Sequence, residues 1–380
     1  MKIALIAREY HKKGGVSKCV VELAEHLRLG HEIHIITRLW DKELERPGIH
    51  FHKVTSFAAP LFLSVLSFAF ASYRETLRHR FDIVVSPLGD CLKADVFTAH
   101  SCHKAWIVYK KKSLGQYLRS LLNPLHWVAL YIENKNVTRG NCKRIISVSN
   151  AVKRDIMRLY GIADNDITVV YNGINTQEFT SADRATLRGS IREQLQVAPH
   201  EALLIFVAHE FYRKGLREVI EAAAELLKQG KAKLLVVGKD SINYYVALAE
   251  KLLIRDKIIF LGPRGDVHHY FAASDIFVFP TKLEPFGLVI TEAMASGLAV
   301  ITSKIAGAAE LIEQGKNGLL LEDPNDINEL KKSIQQLIED KTLREALGAC
   351  AAGSLKELSW AAIAIQHLQV YEQVTRDIRS

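Results

Sequence analysis

Apolar residues in this chain gather in short unbroken runs, separated by longer stretches where they recur at helical spacing. That alternation predicts open α/β sheets with mostly parallel strands. Lys2-Ile-Ala-Leu-Ile-Ala7, a Gly14-Gly15 loop, a helix near Val16 to Leu27, Gly30 and His34-Ile-Ile-Thr37 make a β-loop-α-β opening. Phe81 to Val85, Ala94 to Thr98 and Arg144 to Val148 add strands to the same layer. A second set runs through Ala202 to Val207, Lys233 to Val237, Lys257 to Phe260, Ile276 to Phe279 and Leu298 to Thr302, so two Rossmann-like domains are expected. Between them, Val169 to Phe179 ends a strand and carries Asn172-Gly173, a turn dipeptide, which places the boundary.

Two segments break this rhythm. Val54 to Tyr73 holds no charge, a length that raises the question of a membrane span. Pro60 interrupts it and Ser56, Ser64, Ser67 and Ser72 dilute it, so a buried or surface-lying helix is the better expectation. From Trp106 through Tyr109, Lys110 to Lys112, Tyr117 and Arg119 to His126-Trp127, aromatics interleave with cations. That mixture suits a membrane interface and equally a solvated helix with a packed aromatic face.

The length of 380 residues exceeds what one core usually supports, and 48% apolar content suffices for two. Five cysteines (Cys19, Cys91, Cys102, Cys142, Cys350) are scattered, odd in number and without a CxxC pair, which fits a reducing cytoplasm and suggests neither a disulfide framework nor a zinc site. The first apolar run is too short for a secretion signal and reads as a strand. The net charge of +8 sits in the first half: residues 1–180 hold 26 Lys and Arg against 16 Asp and Glu, and 181–380 hold 24 against 26. A basic face of that kind serves nucleic acid, an anionic membrane or a phosphorylated glycolipid, and composition does not choose among them. No RNA- or DNA-binding motif accompanies it, which argues against nucleic acid.

The chemistry concentrates in Thr281-Lys-Leu-Glu284-Pro-Phe286-Gly287-Leu288-Val-Ile-Thr-Glu292. Asp275 to Pro280 reads as a buried strand ending at its carboxyl edge, and a helix should begin near Phe286 and close at Gly297. Ligands of open α/β sheets bind at that edge. The backbone N–H groups of Phe286, Gly287 and Leu288 at a helix start favour an anion such as a diphosphate. Two glutamates near a helix start also read, more plainly, as charge compensation of the helix dipole.

The spacing of Glu284 and Glu292 resembles the E-x7-E motif of retaining glycosyltransferases of the GT-B fold, family 4. The resemblance extends over most of the chain and, in parts of the N-terminal half, is greatest to lipopolysaccharide core glucosyltransferases. It implies an N-terminal acceptor-binding domain over 1–175, a C-terminal domain over 176–360 that binds the nucleotide-sugar donor across a cleft, and a helix over 361–380 packing back on the first domain. In the resemblance Arg213 and Lys214, within Ala208-His-Glu-Phe-Tyr-Arg213-Lys214-Gly215, bind the diphosphate. A further arginine carried by many relatives is replaced by Ala208 or His209, which lightens the clamp. Glu284 meets the hydroxyls of the donor sugar, the Phe286-Gly287-Leu288 backbone meets phosphate or sugar, and Glu292 meets the ribose. Gly262 and Arg264, in Gly262-Pro-Arg264, fall where relatives cradle the base. Gly14 and Gly15, after Lys12 and Lys13, match the family's glycine loop, and His100, in Asp95-Val-Phe-Thr98-Ala-His100, matches its active-site histidine.

The implied reaction moves a hexose, with UDP-glucose or a similar donor, to a glycan or glycolipid such as lipopolysaccharide core. A diphosphate oxygen helps deprotonate the acceptor, and the protein works in the cytoplasm or at the inner face of the membrane, in peripheral contact with anionic lipid. A soluble sugar or glucan synthase is the alternative within the family, and a sugar-binding pseudoenzyme the alternative outside enzymes. Asp164-Asn-Asp166 has the Asp-x-Asp form of a metal motif but lies between a helix and the strand Ile167 to Val170, where a turn is the better reading. No cofactor and no metal is expected.

Overall fold

The computed structural model describes residues 1–87, 89–110, 115, 118, 122–138, 141–180 and 183–379. The chain divides into two compact units, Met1–Gly173 with Trp360–Ser380, and Ile174–Ser359.

The first unit is built on a parallel sheet of β1 (Lys2–Ile6), β3 (Glu32–Thr37), β5 (Ile49–Lys53), β6 (Ile83–Ser86), β7 (Val96–Ala99), β8 (Arg144–Ser147) and β9 (Ile167–Val169), in the order β5-β3-β1-β6-β7-β8-β9. Two-residue strands β2 (Glu9–Tyr10) and β4 (Leu39–Trp40) pair beside it. The sequence reading missed β5, because Ile-His-Phe-His-Lys alternates apolar and polar residues and lacks the unbroken apolar run by which the other strands were picked out. Helix α1 (Gly15–Leu27) and α2 (Leu61–Arg78) cover the sheet. The uncharged segment is thus largely α2, which turns Phe68 onto Ala4, Ile6, Ile36 and Cys91, and leaves Phe70 and Leu77 exposed. No helix among the described residues is long and apolar enough to cross a membrane.

The interleaved aromatic and basic segment contains helices His103–Lys110 and Pro124–Val137, while 111–114, 116–117 and 119–121 lie outside the described residues. Trp106 stacks on His103 with ring centres 5.6 Å apart and Lys110 lies over its ring, whereas Trp127 and Tyr131 are exposed. Asp164–Asp166 forms one tight helical turn before β9, and Lys153 pairs with Asp164 at 2.8 Å.

The final helix, Trp360–Arg379, packs on α1, and Arg379 reaches Asp82 at 2.6 Å. Gly173 explains itself there. Its backbone is not left-handed, so the Asn172-Gly173 dipeptide is not a glycine-requiring turn. Instead a Cβ at Gly173 would sit 2.5 Å from the Trp360 ring, and only glycine fits.

The second unit has a parallel sheet of β10 (Ala202–Val207), β11 (Ala232–Val237), β12 (Ile258–Gly262), β13 (Ile276–Phe279), β14 (Ala299–Ser303) and β15 (Leu319–Leu321), in the order β12-β11-β10-β13-β14-β15. Its inner strands β10, β13 and β14 are buried on both faces, as their unbroken apolar runs require, while the edge strand β12 is only partly covered. The chain builds outward from β10 to β12, then returns to lay β13 on the other side of β10. The order therefore reverses between β10 and β13, the place where such sheets open a crevice at their carboxyl ends.

Candidate active site

The loops after β10 and β13 meet at that reversal. After β10, Glu210 adopts a left-handed backbone (φ 57°) and turns the chain into the short helix Phe211–Lys214, whose first N–H donates to Asp240 Oδ2 at 2.7 Å. Gly215 ends it at φ 86°, and a Cβ there would lie 2.4 Å from the Pro280 carbonyl oxygen. That close approach sets Lys214 against the loop after β13. Its ammonium is buried, lies over the Phe279 ring and forms an ion pair with Glu284 Oε2. Burial lowers the Lys214 pKa, and the Glu284 carboxylate opposes that shift.

Arg213 points another way. Its guanidinium donates to Glu210 Oε2 and to the Leu283 carbonyl, and its own carbonyl accepts from Lys282 N–H at 2.9 Å. Lys282 in turn donates to the buried Glu218 at 2.9 Å and covers Tyr212. Glu210 and Lys282 lie inside the quoted motifs but were given no role there, and Glu218 and Asp240 belong to no motif; the meeting of separate loops recruits all four.

The helix after β13 is Leu288–Ala295 and starts two residues later than the pattern at Phe286 suggests. Phe286 is instead buried, and its carbonyl accepts from Ala308 N–H at 2.7 Å. Gly287, at φ 100°, makes the turn: a Cβ there would crowd Ile290 and the Glu284 Cγ. The Glu284 carbonyl accepts from Gly307 N–H at 3.0 Å, so the loop after β14 holds the Glu284 backbone in place. Glu292 is partly exposed, five residues into the helix.

Gly262 ends β12 at φ 71°, with its carbonyl accepting from Gly238 N–H at 2.9 Å. Arg264 is more distant in role: its guanidinium forks onto both oxygens of Asp266, at 2.9 and 2.8 Å, and lies over Tyr270. Of the residues predicted in this unit, Arg213, Lys214, Glu284, Phe286, Gly287 and Leu288 are therefore tied by direct contacts or chain adjacency. Gly262 ends the edge strand β12, Glu292 lies five residues into the helix after β13, and the Arg264 side chain is engaged locally.

In the first unit, Gly14 (φ 105°) precedes α1, which begins at Gly15, and open space surrounds the Gly14 α-carbon on the side a Cβ would take. Lys12 pairs with Glu22 at 3.1 Å. His100 follows β7 and lines a cavity of about 160 Å³ with Asp90, Thr98, Ser101, His103 and Glu133. Burial pushes its pKa down to about 4, so it is a neutral imidazole near pH 7. Burial first, and His100 second, hold His367 of the last helix at about 3. Burial raises the Asp90 pKa, and Arg8 works against it. Glu133 accepts from the N–H groups of His103 and Lys104 at 2.5 and 3.1 Å and from the Tyr160 hydroxyl, capping helix His103–Lys110. Neither acid carried a signal in the sequence, because each is defined by burial.

A parallel sheet with a lysine-carboxylate pair at its reversal point, joined in one chain to a second parallel sheet with a glycine turn and a neutral histidine at strand ends, defines a glycosyltransferase of the GT-B fold. The glycosyl transferases group 1 model matches residues 188–353 and the Glycosyltransferase Family 4 model residues 13–178. The chain belongs to that family of glycosyltransferases. It is 28% identical to a glycosyltransferase of Methanocaldococcus jannaschii, with 98% of each chain covered. It is 27% identical to the N-acetyl-alpha-D-glucosaminyl L-malate synthase of Bacillus anthracis, covering 99% of this chain and 98% of that one. Lipopolysaccharide glucosyltransferase WaaG of Escherichia coli K12 is 25% identical over 91% of this chain and 92% of its own. Among solved structures, WaaG superposes with a TM-score of 0.82 at 22% identity over 97% and 99% of the two chains. Anabaena HepE in complex with UDP-glucose superposes with a TM-score of 0.74 at 22% identity over 98% and 100%.

Proposed function

We propose that this glycosyltransferase moves a hexose from a nucleoside-diphosphate sugar, UDP-glucose or a close analogue, to a glycan or glycolipid acceptor such as lipopolysaccharide core, with retention at the anomeric carbon. The observation that carries the reading is the buried Lys214–Glu284 pair at the reversal of the second sheet. A diphosphate leaving group gains negative charge as its bond to the sugar breaks, and a fixed cation in a dry pocket stabilises that charge far better than one in water. Lys214 and Arg213 supply positive charge, Glu284 orients sugar hydroxyls, Glu292 takes the ribose, and the backbone at Phe286, Gly287 and Leu288 faces phosphate. Gly262 and Arg264 flank the base. In the first unit Gly14 and Gly15 admit phosphate or acceptor closely, and the neutral His100 accepts or donates one hydrogen bond to the sugar.

In the step itself the bond between the anomeric carbon and the β-phosphate oxygen breaks, and the acceptor oxygen bonds to the same face of that carbon. The acceptor proton passes to a diphosphate oxygen, and no metal or other cofactor takes part. The diverse names among relatives, a malate synthase beside a lipopolysaccharide enzyme, favour keeping a small soluble acceptor as the second reading. A lipid acceptor would place the protein at the cytoplasmic face of an anionic membrane.

A diphosphate-release assay over a panel of UDP-, GDP- and ADP-sugars, with and without EDTA, tests the donor. Release from one donor that is unchanged by EDTA supports the reading, and no release or release abolished by chelation refutes it. NMR of the product's anomeric proton decides retention, and flotation with anionic vesicles separates the lipid from the soluble acceptor.

A further inference from the structure

A second site of different chemistry lies at the free edge of the first sheet. There β5 contributes His52, and the end of α2 and the residue after it contribute Glu75 and His79. Their donor atoms converge within 4.8 Å of one another. His52 Nδ1 is 3.5 Å and His79 Nε2 3.0 Å from the same oxygen, Glu75 Oε1. Tetrahedral ligands around zinc, at about 2.0–2.1 Å, are spaced roughly 3.3 Å apart. The other carboxylate oxygen of Glu75 is held by Arg78 at 3.0 Å, which fixes the orientation of the first.

The hydrogens available do not complete the network. Behind His52, its Nε2 lies 2.9 Å from His34 Nδ1, and His34 Nε2 lies 3.1 Å from Glu32 Oε1. The chain Glu32–His34–His52–Glu75 thus contains three polar contacts, each needing one hydrogen, and two neutral imidazoles supply two. The longest contact, His52 to Glu75, is the one left without. With His34 donating to Glu32 and His52 donating to His34, the Nδ1 lone pair of His52 faces a carboxylate oxygen, and His79 stands beside both. Something positive belongs between them. The outer arrangement, a ligand imidazole donating through a second imidazole to a carboxylate, is the kind that fixes tautomer and raises basicity at metal sites.

We infer that His52, Glu75 and His79 bind a divalent transition cation of the zinc type, with the fourth position open to solvent beside exposed His79. Two imidazoles and a carboxylate suit zinc, and cobalt and nickel more weakly. The site lies four strands from β7, so roughly 19 Å from His100 at a strand spacing of about 4.8 Å. Its role is to pin the edge strand β5 to the end of α2, apart from sugar transfer.

The test uses the full chain purified without a polyhistidine tag, stripped with EDTA and titrated with Co²⁺ and then Zn²⁺. The inference expects one equivalent of Co²⁺ with the intense visible bands of tetrahedral coordination, displaced by Zn²⁺, and a rise of several degrees in melting temperature. His79→Ala, at an exposed helix end and therefore neutral to folding, should weaken binding at least tenfold, as should Glu75→Gln. His200→Ala, at an exposed position elsewhere, should not. Absence of tetrahedral bands, or binding by His79→Ala equal to that of the wild type, overturns it.

Discussion

Lys214 and Glu284, seventy positions apart, meet as a buried ion pair where the sheet of the second unit reverses its order. Each therefore has two jobs, neutralising its partner and addressing ligand. Glu284→Gln keeps the shape and a hydrogen-bond acceptor but leaves the buried Lys214 ammonium without its counter-charge, so it should lower turnover about 10²- to 10³-fold and also cost about 3 kcal/mol of stability. Lys214→Ala should lose activity and also about 3 kcal/mol of stability, because it strands a largely buried carboxylate and empties a buried position. Steady-state kinetics paired with urea denaturation check both, and the double variant should recover part of the stability lost by Lys214→Ala.

Gly215→Ala should destabilise the second unit by on the order of 2–4 kcal/mol, since the new methyl meets the Pro280 carbonyl at a left-handed backbone position. Gly230, also left-handed but in open space, is the control, and its alanine variant should cost about 1 kcal/mol. Denaturant midpoints measure the difference.

Asp275 anchors the start of β13 by accepting from Leu203 N–H at 2.8 Å and pairing with Arg188 at 2.7 Å and Arg192 at 3.1 Å. Burial alone would raise its pKa, but these arginines and the Leu203 N–H hold it below the usual carboxylate range. Asp275→Asn should cost about 3–5 kcal/mol by leaving buried guanidinium groups without their counter-charge. Donor affinity, measured by calorimetry at a temperature where the variant is folded, should stay within threefold.

Acid should weaken the first unit in a defined window. His100 and His367 bind protons less readily folded, near 4 and 3, than unfolded, near 6.5, so between those values the unfolded state takes up more protons. Their contribution is complete above about pH 6.5 and is lost as pH falls toward 4. His367→Phe should flatten the dependence of melting temperature on pH over that interval, and an unchanged slope would refute the assignment.

The strands of both sheets were legible because buried parallel strands write themselves as unbroken apolar runs, and Ala202 to Val207 and Ile276 to Phe279 appear with those bounds. β5 and β15 were not, since the histidines of β5 face a polar cluster in place of a core and β15 is only three residues long. Arg213, Lys214, Glu284 and Glu292 were singled out by motif and family resemblance, neither of which says anything of pairing. That Lys214 joins Glu284 while Arg213 turns to Glu210 depends on the approach of Gly215 to Pro280, a long-range contact. Asp90, Glu133 and the His52–Glu75–His79 group are invisible for the same reason, being assembled from strands and helices with no common motif.

The contact of Gly173 with Trp360 makes the first unit discontinuous in sequence while the second runs uninterrupted from Ile174 to Ser359. During synthesis the second unit can finish before the ribosome has delivered the helix that buries the face of α1. A nascent chain paused just short of Trp360 would hold a completed second sheet and a first unit whose α1 still lacks its covering helix.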